Sequence, residues 1–361
     1  MANCKWDLTL PSLYKKFEGH FMVGNIMAPR DFDDPEMLAM FRHHYNTVTA
    51  ENVMKPVEIT SEPGVYDFSR ADQLVSWAEK HKIAVVGHTL IWHGQSAPWL
   101  NRDADGAPLT RARAKANMEA FIKAYAGHYS GRIYSWDVIN EAFRDITDFS
   151  GDWRAHLRRE EPKAGNTAHW YLSYANGADT AKGESGADYV FDAFYFTRKH
   201  DPLAILYYND YNEEVPAKRD AIACMVEDIN GKWLMHPEYD NRLLIEGIGM
   251  QSHHNHVHIN MQNIRDAINR FAQTGARIAI TELDFTFGSA EAPVFPIAGE
   301  DAHAQAAYYK ELFELYATRS DVVERVTFWA KDDGQSWRKW GAPVLFDAAG
   351  AAKPAFHAIM N

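Results

Sequence analysis

Arg277-Ile278-Ala279-Ile280-Thr281-Glu282-Leu283-Asp284-Phe285 is the stretch on which the reading of this chain turns. A short apolar run between Gly275 and Gly288 predicts a strand. Its lack of alternation predicts burial on both faces, as in a parallel sheet. Burying an ionised carboxylate costs several kcal/mol, so a buried strand that ends in two acids has a use for them. Side chains two apart on a strand share a face. Glu282 and Asp284 therefore point the same way from the strand's carboxyl end. A solvated acidic loop explains this stretch about equally well when it is taken alone. Recurrence of the pattern along the chain separates the two accounts.

Seven further apolar runs read as strands, at 21–25, 47–49, 83–87, 133–138, 204–208, 245–249 and 326–329, which with 278–280 makes eight. Between them lie stretches of helical periodicity at 71–81, 112–129, 188–199, 217–230, 264–273 and 302–318. Strands separated by helices imply βαβ units and a parallel sheet. Eight units favour a (β/α)8 TIM barrel, here expected as a single domain over residues 1–361. A doubly wound open sheet is the alternative, but no Gly-rich phosphate loop follows the first strand. The longest irregular region, 145–187, follows the fourth strand and so belongs on the catalytic face of a barrel.

At 361 residues, 46% of them hydrophobic, the chain can bury a large core. A net charge of −12 argues against nucleic acid and anionic membranes as partners. Its 11 Trp and 17 Tyr exceed the usual needs of a core and suit flat, amphipathic ligands such as sugars. No apolar run reaches the ~18 residues of a membrane span. The first residues show no signal-peptide core. Cys4 and Cys224 make neither a disulfide framework nor a metal spacing, and a bridge between them is not expected.

Polar and aromatic groups follow almost every strand. They are Glu51, Asn52 and Lys55 after the second, His88 and Trp92 after the third, and Asn140 and Glu141 after the fourth. Asn209-Asp210-Tyr211-Asn212 follow the fifth, Gln251 and His253 the sixth, and Glu282 and Asp284 the seventh. Trp329 closes the eighth, with Trp337 in the loop beyond. Each alone has a bland explanation: a core histidine, a packed indole, a solvated lysine, a helix cap at Asn140. Their collection at one end of a barrel does not. Strands four and seven lie nearly across a barrel of eight, so Glu141 and Glu282 can face one cleft. Paired carboxylates without a metal motif suggest glycoside hydrolysis, one protonated and one ionised. Asn140 is placed to bond a sugar 2-hydroxyl. Like charges close together predict a raised pKa for Glu141 while Glu282 is ionised. The run His253-His254-Asn255-His256-Val257-His258 invites a metal, but no acid or Cys completes a ligand set, and none is expected.

Trp136-Asp137-Val138-Ile139-Asn140-Glu141 and Ile280-Thr281-Glu282-Leu283-Asp284 resemble the two signature strands of glycoside hydrolase family 10, the endo-β-1,4-xylanases. The resemblance extends over Glu51-Asn52-Val53-Met54-Lys55, Gly87-His88-Thr89-Leu90-Ile91-Trp92-His93, Tyr208-Asn209-Asp210-Tyr211-Asn212, Gly249-Met250-Gln251-Ser252-His253 and Trp337-Arg338, and spans roughly residues 10 to 358. It implies that Glu141 is the acid/base and Glu282 the nucleophile of a retaining reaction on internal bonds of xylan. Glu51, Asn52, Lys55, His88, Trp92, Gln251, Trp329 and Trp337 would line the glycone side, with walls that crowd a C6 hydroxymethyl. Tyr211 would stack on the leaving-group side, and His253 would bridge Glu282 and Asp284. Residues 176–185 read as an insertion, which puts leaving-group contacts in question. Tyr207, and the lack of a cysteine near Gln251, exclude a disulfide that some members carry. The expected partners are xylan and xylo-oligosaccharides, with no cofactor. The expected state is a monomer, and the expected location is outside the cell because xylan is too large to enter one, with a cytoplasmic enzyme as the alternative. An inverting or cellulose-directed hydrolase and a non-catalytic carbohydrate-binding barrel are the rival readings.

Overall fold

The computed structural model describes residues 5–159 and 169–361. Eight strands form the barrel: β1 (Met22–Met27), β2 (Thr47–Ala50), β3 (Ala84–Trp92), β4 (Ser135–Asn140), β5 (Ile205–Asp210), β6 (Gly247–Met250), β7 (Arg277–Thr286) and β8 (Val323–Phe328). Each runs parallel to both neighbours, and β8 closes onto β1 from Met22↔Arg325 to Asn25↔Phe328. A helix packs on the barrel after each strand: α1 (Pro35–His44), α2 (Ser69–His81), α3 (Arg111–His128), α4 (Tyr189–His200), α5 (Pro216–Leu234), α6 (Met261–Ala272), α7 (Gly299–Thr318) and the short α8 (Pro354–Met360). The fold is therefore the expected (β/α)8 barrel.

Residues of β2, β4, β5 and β6 are buried without alternation, because one face fills the barrel and the other meets the helices. Val48, Leu206, Ile280 and Val326 pack in one core with Met40, Leu74, Phe121, Ile222 and Leu312 of the helices. Each such side chain contributes about 1.5–3 kcal/mol relative to exposure. Gly87 shows how tight this layer is. A Cβ there would lie 2.1 Å from the Trp136 ring, which packs edge-on against Tyr125 and donates its N–H to Asp201 at 2.9 Å.

Helices α1 and α8 had no counterpart in the periodicity analysis. Both announce themselves by a proline at the first helical position. The Asp34 carboxylate also caps α1 by accepting from the Glu36 and Met37 N–H groups.

The strands outrun their apolar cores. β3 and β7 continue through His88–Trp92 and Glu282–Thr286, where polar groups seemed to end them. Register shifts accompany the extension, between His88 and Ile91, between Asp137 and Ile139, and between Ile280 and Leu283. An extra residue in one strand reverses the alternation beyond it and re-aims side chains. A short strand, His253–Asn255, pairs with the extended end of β7 through Asp284↔His253.

In the β4–α4 connection, residues 176–185 fold onto the start of α3. The Arg111 guanidinium gathers the Tyr174 and Ser185 carbonyls at 3.1 and 3.0 Å and the Asp188 carboxylate at 2.7 Å. Part of that irregular region, 160–168, lies outside the described residues, as does Cys4 and with it the Cys4–Cys224 pairing considered above.

Candidate active site

At the end of β7, Glu282 is held from two sides. Asn209 of β5 donates its amide N–H to Oε1 at 2.9 Å. His253 meets Oε2 through Nε2 at 3.2 Å and Asp284 Oδ2 through Nδ1 at 3.0 Å. Burial alone would lower the His253 pKa, but the Asp284 charge, with hydrogen bonds to both acids, raises it to about 10. The ring is thus an imidazolium donating to both carboxylates. Asp284 is fully buried and accepts from Arg338 Nη1 at 2.6 Å and Trp337 Nε1 at 3.2 Å. Burial pushes its pKa up, but His253 and Arg338 outweigh that and hold it below the usual range. Arg338 also donates to the His254 carbonyl and Thr286 Oγ1.

Glu141, at the end of β4, is held differently. Its φ is +55°, a left-handed conformation that costs a non-glycine residue roughly 1–2 kcal/mol. Its N–H donates to the Asn209 carbonyl at 2.8 Å, and its carbonyl accepts from Arg158 Nε at 2.9 Å. The carboxylate accepts from Trp92 Nε1 at 3.0 Å, Gln251 Nε2 at 3.0 Å and Asn140 Nδ2 at 3.2 Å. His93 Nε2 lies 3.8 Å away. Burial pushes Glu141 up; His93, the bonds from Gln251 and Trp92, and Arg158 more than offset it, leaving the pKa below the ordinary value. This corrects the raised value expected from like-charge repulsion. The His93 share lapses at neutral pH, since burial, with Arg158, lowers its own pKa to about 4.

Asn140 and Asn209 join the two ends. Asn140 Oδ1 accepts from Asn209 Nδ2 at 2.8 Å and Gln251 Nε2 at 3.2 Å. Asn209 in turn accepts from Thr281 Oγ1 at 2.6 Å. A Cβ at Gly249 would stand 2.3 Å from that amide oxygen, so only glycine leaves room for it. Asn140 would share the outward face of Trp136 if alternation held. The register shift after Asp137 turns it into this network instead.

The remaining predicted residues surround the same mouth. His88 Nδ1 donates to Asp137 at 2.9 Å, and its ring meets Trp329 edge-on at 5.4 Å. Lys55 donates to Asn52 at 2.9 Å and Gln95 at 2.8 Å, and lies 5.1 Å above the Trp92 ring. Burial lowers its pKa, against the pull of Glu282, Glu51 and Glu141. Glu51 pairs with Arg30 at 3.0 Å on the rim. Trp337 is 65% exposed, its indole N–H on Asp284 notwithstanding. Tyr211 accepts from Arg158 Nη2 at 2.7 Å and carries Lys218 3.7 Å over its ring. His256 stacks on Phe287, and His258 is exposed. Asn209, Arg338, His93, Gln95 and Arg158 were given no role from sequence. The first four sit within or beside the quoted motifs, where strand-end position is the available signal. Arg158 lies in the irregular loop, which offers none.

The chain matches the model of glycosyl hydrolase family 10 over residues 12–361. It belongs to that family. Among its relatives is the endo-1,4-beta-xylanase A of Thermotoga maritima, 32% identical over 97% of this chain. The chain spans 31% of the length of that relative. The crystal structure of a bacterial Ig-like domain containing family 10 xylanase from termite gut superposes with a TM-score of 0.84, at 36% identity over 98% of this chain and 78% of the other. An intracellular xylanase of Thermoanaerobacterium saccharolyticum gives 0.80, at 30% identity over 97% and 98% of the two chains. Among the described residues of this family 10 chain, no helix is long and apolar enough to cross a membrane.

Proposed function

We propose that this chain is an endo-1,4-β-xylanase that works with retention, with Glu282 as nucleophile and Glu141 as acid/base. The observation that carries the reading is the contrast between the two carboxylates. Glu282 receives an imidazolium N–H and an amide N–H, which fix its orientation toward the cleft. Glu141 is met by neutral donors, an indole and two amides, with no cation bonded to its carboxylate among the described residues. Burial notwithstanding, His93 and these donors hold its pKa below the ordinary value, and its place at the cleft together with the family resemblance supports the acid role. In the first step Glu282 attacks the anomeric carbon while Glu141 gives its proton to the departing glycosidic oxygen. In the second, Glu141 takes a proton from water as that water displaces Glu282.

Asn140 and Asn209 hold the two acids in register, and Asn140 is the candidate partner of the 2-hydroxyl. His88, Trp92, Trp329, Lys55, Asn52, Glu51, Gln251 and Trp337 form the glycone-side walls, and Tyr211 the leaving-group platform. Indole faces stack on pyranose faces while their N–H groups take polar partners. We read residues 1–361 as one catalytic unit that acts outside the cell, where the polymer is. Activity confined to the cytoplasm of the source cells would overturn that location.

Initial rates on soluble xylan and on carboxymethyl cellulose, with Glu282→Gln as the blank, test the substrate. Xylan is expected to be cleaved roughly 100-fold faster or more, because the family resemblance implies walls that crowd a C6 hydroxymethyl. Comparable rates on the two polymers would sink the assignment.

A further inference from the structure

We propose that Glu213 is a positioning residue for both carboxylates: through Ser252 it fixes the turn from which Gln251 reaches Glu141 and His253 reaches Glu282. The proposal rests on the function given above and adds to it a residue that touches neither sugar nor reacting atom.

Ser252 is the joint of this turn. β6 stops at Met250, and the short strand paired with β7 starts at His253. Between them Ser252 takes φ +59°, a left-handed conformation that a residue with a Cβ holds only when its surroundings enforce it. It is gripped from two sides. Its N–H and its hydroxyl both donate to Glu213 Oε1 at 3.2 Å. Its carbonyl accepts from the His254 N–H at 3.0 Å and the Asp284 N–H at 3.4 Å. The residues flanking the joint reach the two glutamates. Gln251 donates to the Glu141 carboxylate, and His253 bridges Glu282 and Asp284. A swing at Ser252 would therefore displace the support of the acid/base and of the nucleophile together.

Glu213 comes from the loop between β5 and α5 and is fully buried. Its Oε2 has no hydrogen-bond partner among the described residues. A buried carboxylate without a bonded cation is costly. Burial, with Glu214 next in the chain, pushes the Glu213 carboxyl well above the usual range. The group thus accepts two hydrogen bonds as a neutral acid, and it supplies geometry rather than charge.

Glu213→Leu removes the acceptor, and Glu213→Gln keeps it. Both are assayed on an unbranched xylo-oligosaccharide and on an aryl xylobioside with a good leaving group. Glu213→Leu is expected to lower kcat on the two substrates by similar factors, about tenfold or more, with KM within about twofold. The aryl glycoside is not spared, because the nucleophile loses its alignment along with the acid. Glu213→Gln should recover kcat to within about threefold of wild type. Where Glu213→Leu does not fold, Ser252→Ala carries the test: it deletes one of the two bonds and should lower kcat about threefold at unchanged KM. An unchanged kcat, a change confined to KM, a loss that spares the aryl glycoside, or equal losses in the Leu and Gln variants would overturn the proposal. A wild-type chain inactive on both substrates would instead indict the proposed function.

Discussion

The end of β7 and the end of β4 each present one glutamate to the same cleft, but by different means. At β7 the support is ionic and buried: Glu282, His253, Asp284 and Arg338 form a chain of alternating charge. Such a chain leaves little freedom to orientation. At β4 the carboxylate is met by an indole and two amides, its backbone is left-handed, and its loop is tied by Arg158. A group that must exchange a proton twice per turnover needs an environment that can change. A nucleophile needs one that does not.

The strongest test of this contrast removes the β7 carboxylate. Glu282→Gln is expected to lower turnover on xylan roughly 10⁴-fold or more while the fold persists. A fluorosugar xylobioside with a good leaving group should label the wild-type peptide containing Thr281-Glu282-Leu283-Asp284, and the β-anomer should appear first by proton NMR. A label on Glu141, or an α-anomer as first product, would exchange the two roles.

Next in size is the β4 carboxylate. Glu141→Ala should cost about 10²–10⁴-fold on xylan. Its first step on an aryl glycoside with a good leaving group should suffer far less, and the alkaline limb of the pH–rate profile on that substrate should vanish. Equal losses on both substrates would deny Glu141 the role of acid.

Smaller again is the loss of the bridge. His253→Ala is expected to cut turnover about 100-fold with the chain still folded, by the weight usual for groups that orient a reacting one. Stability carries a pH signature as well. The folded pKa of about 10 lies above the unfolded value of ~6.5. The contribution is therefore complete below ~6.5 and is lost as pH climbs toward 10. Urea melts of wild type and His253→Gln should differ most near pH 6 and converge toward pH 10. A gap that widens with pH would break the ionic account of β7.

The smallest effect sharpens the β4 side. Arg158→Met frees the Glu141 carbonyl and the Tyr211 hydroxyl without touching either carboxylate. Roughly tenfold in kcat on xylan is expected, about 1.4 kcal/mol, with little change in thermal unfolding, whereas Arg338→Met should destabilise by roughly 3 kcal/mol by stripping a buried acid of a cation. The reverse order would contradict the division drawn between the two ends.

By itself the sequence determined the barrel, the strand ends and the chemistry-bearing residues on them. Apolar runs and helical periods are local quantities, and Glu141, Glu282, His253 and Asp284 stand where those runs stop. Tertiary structure alone decided what the residues do to one another. Asn140 faces the mouth because β4 gains a residue after Asp137, a displacement that appears only when β5 is laid beside it. Asn209 joins Asn140 and Glu282, 69 and 73 positions away, through a space that Gly249 leaves open. The depressed Glu141 follows from donors and charges on β3, β6 and the loop after β4, none of them near in sequence except Asn140. Hydrogen bonds and pKa values depend on separations of a few ångströms between distant segments, and those separations come into being only when the barrel closes.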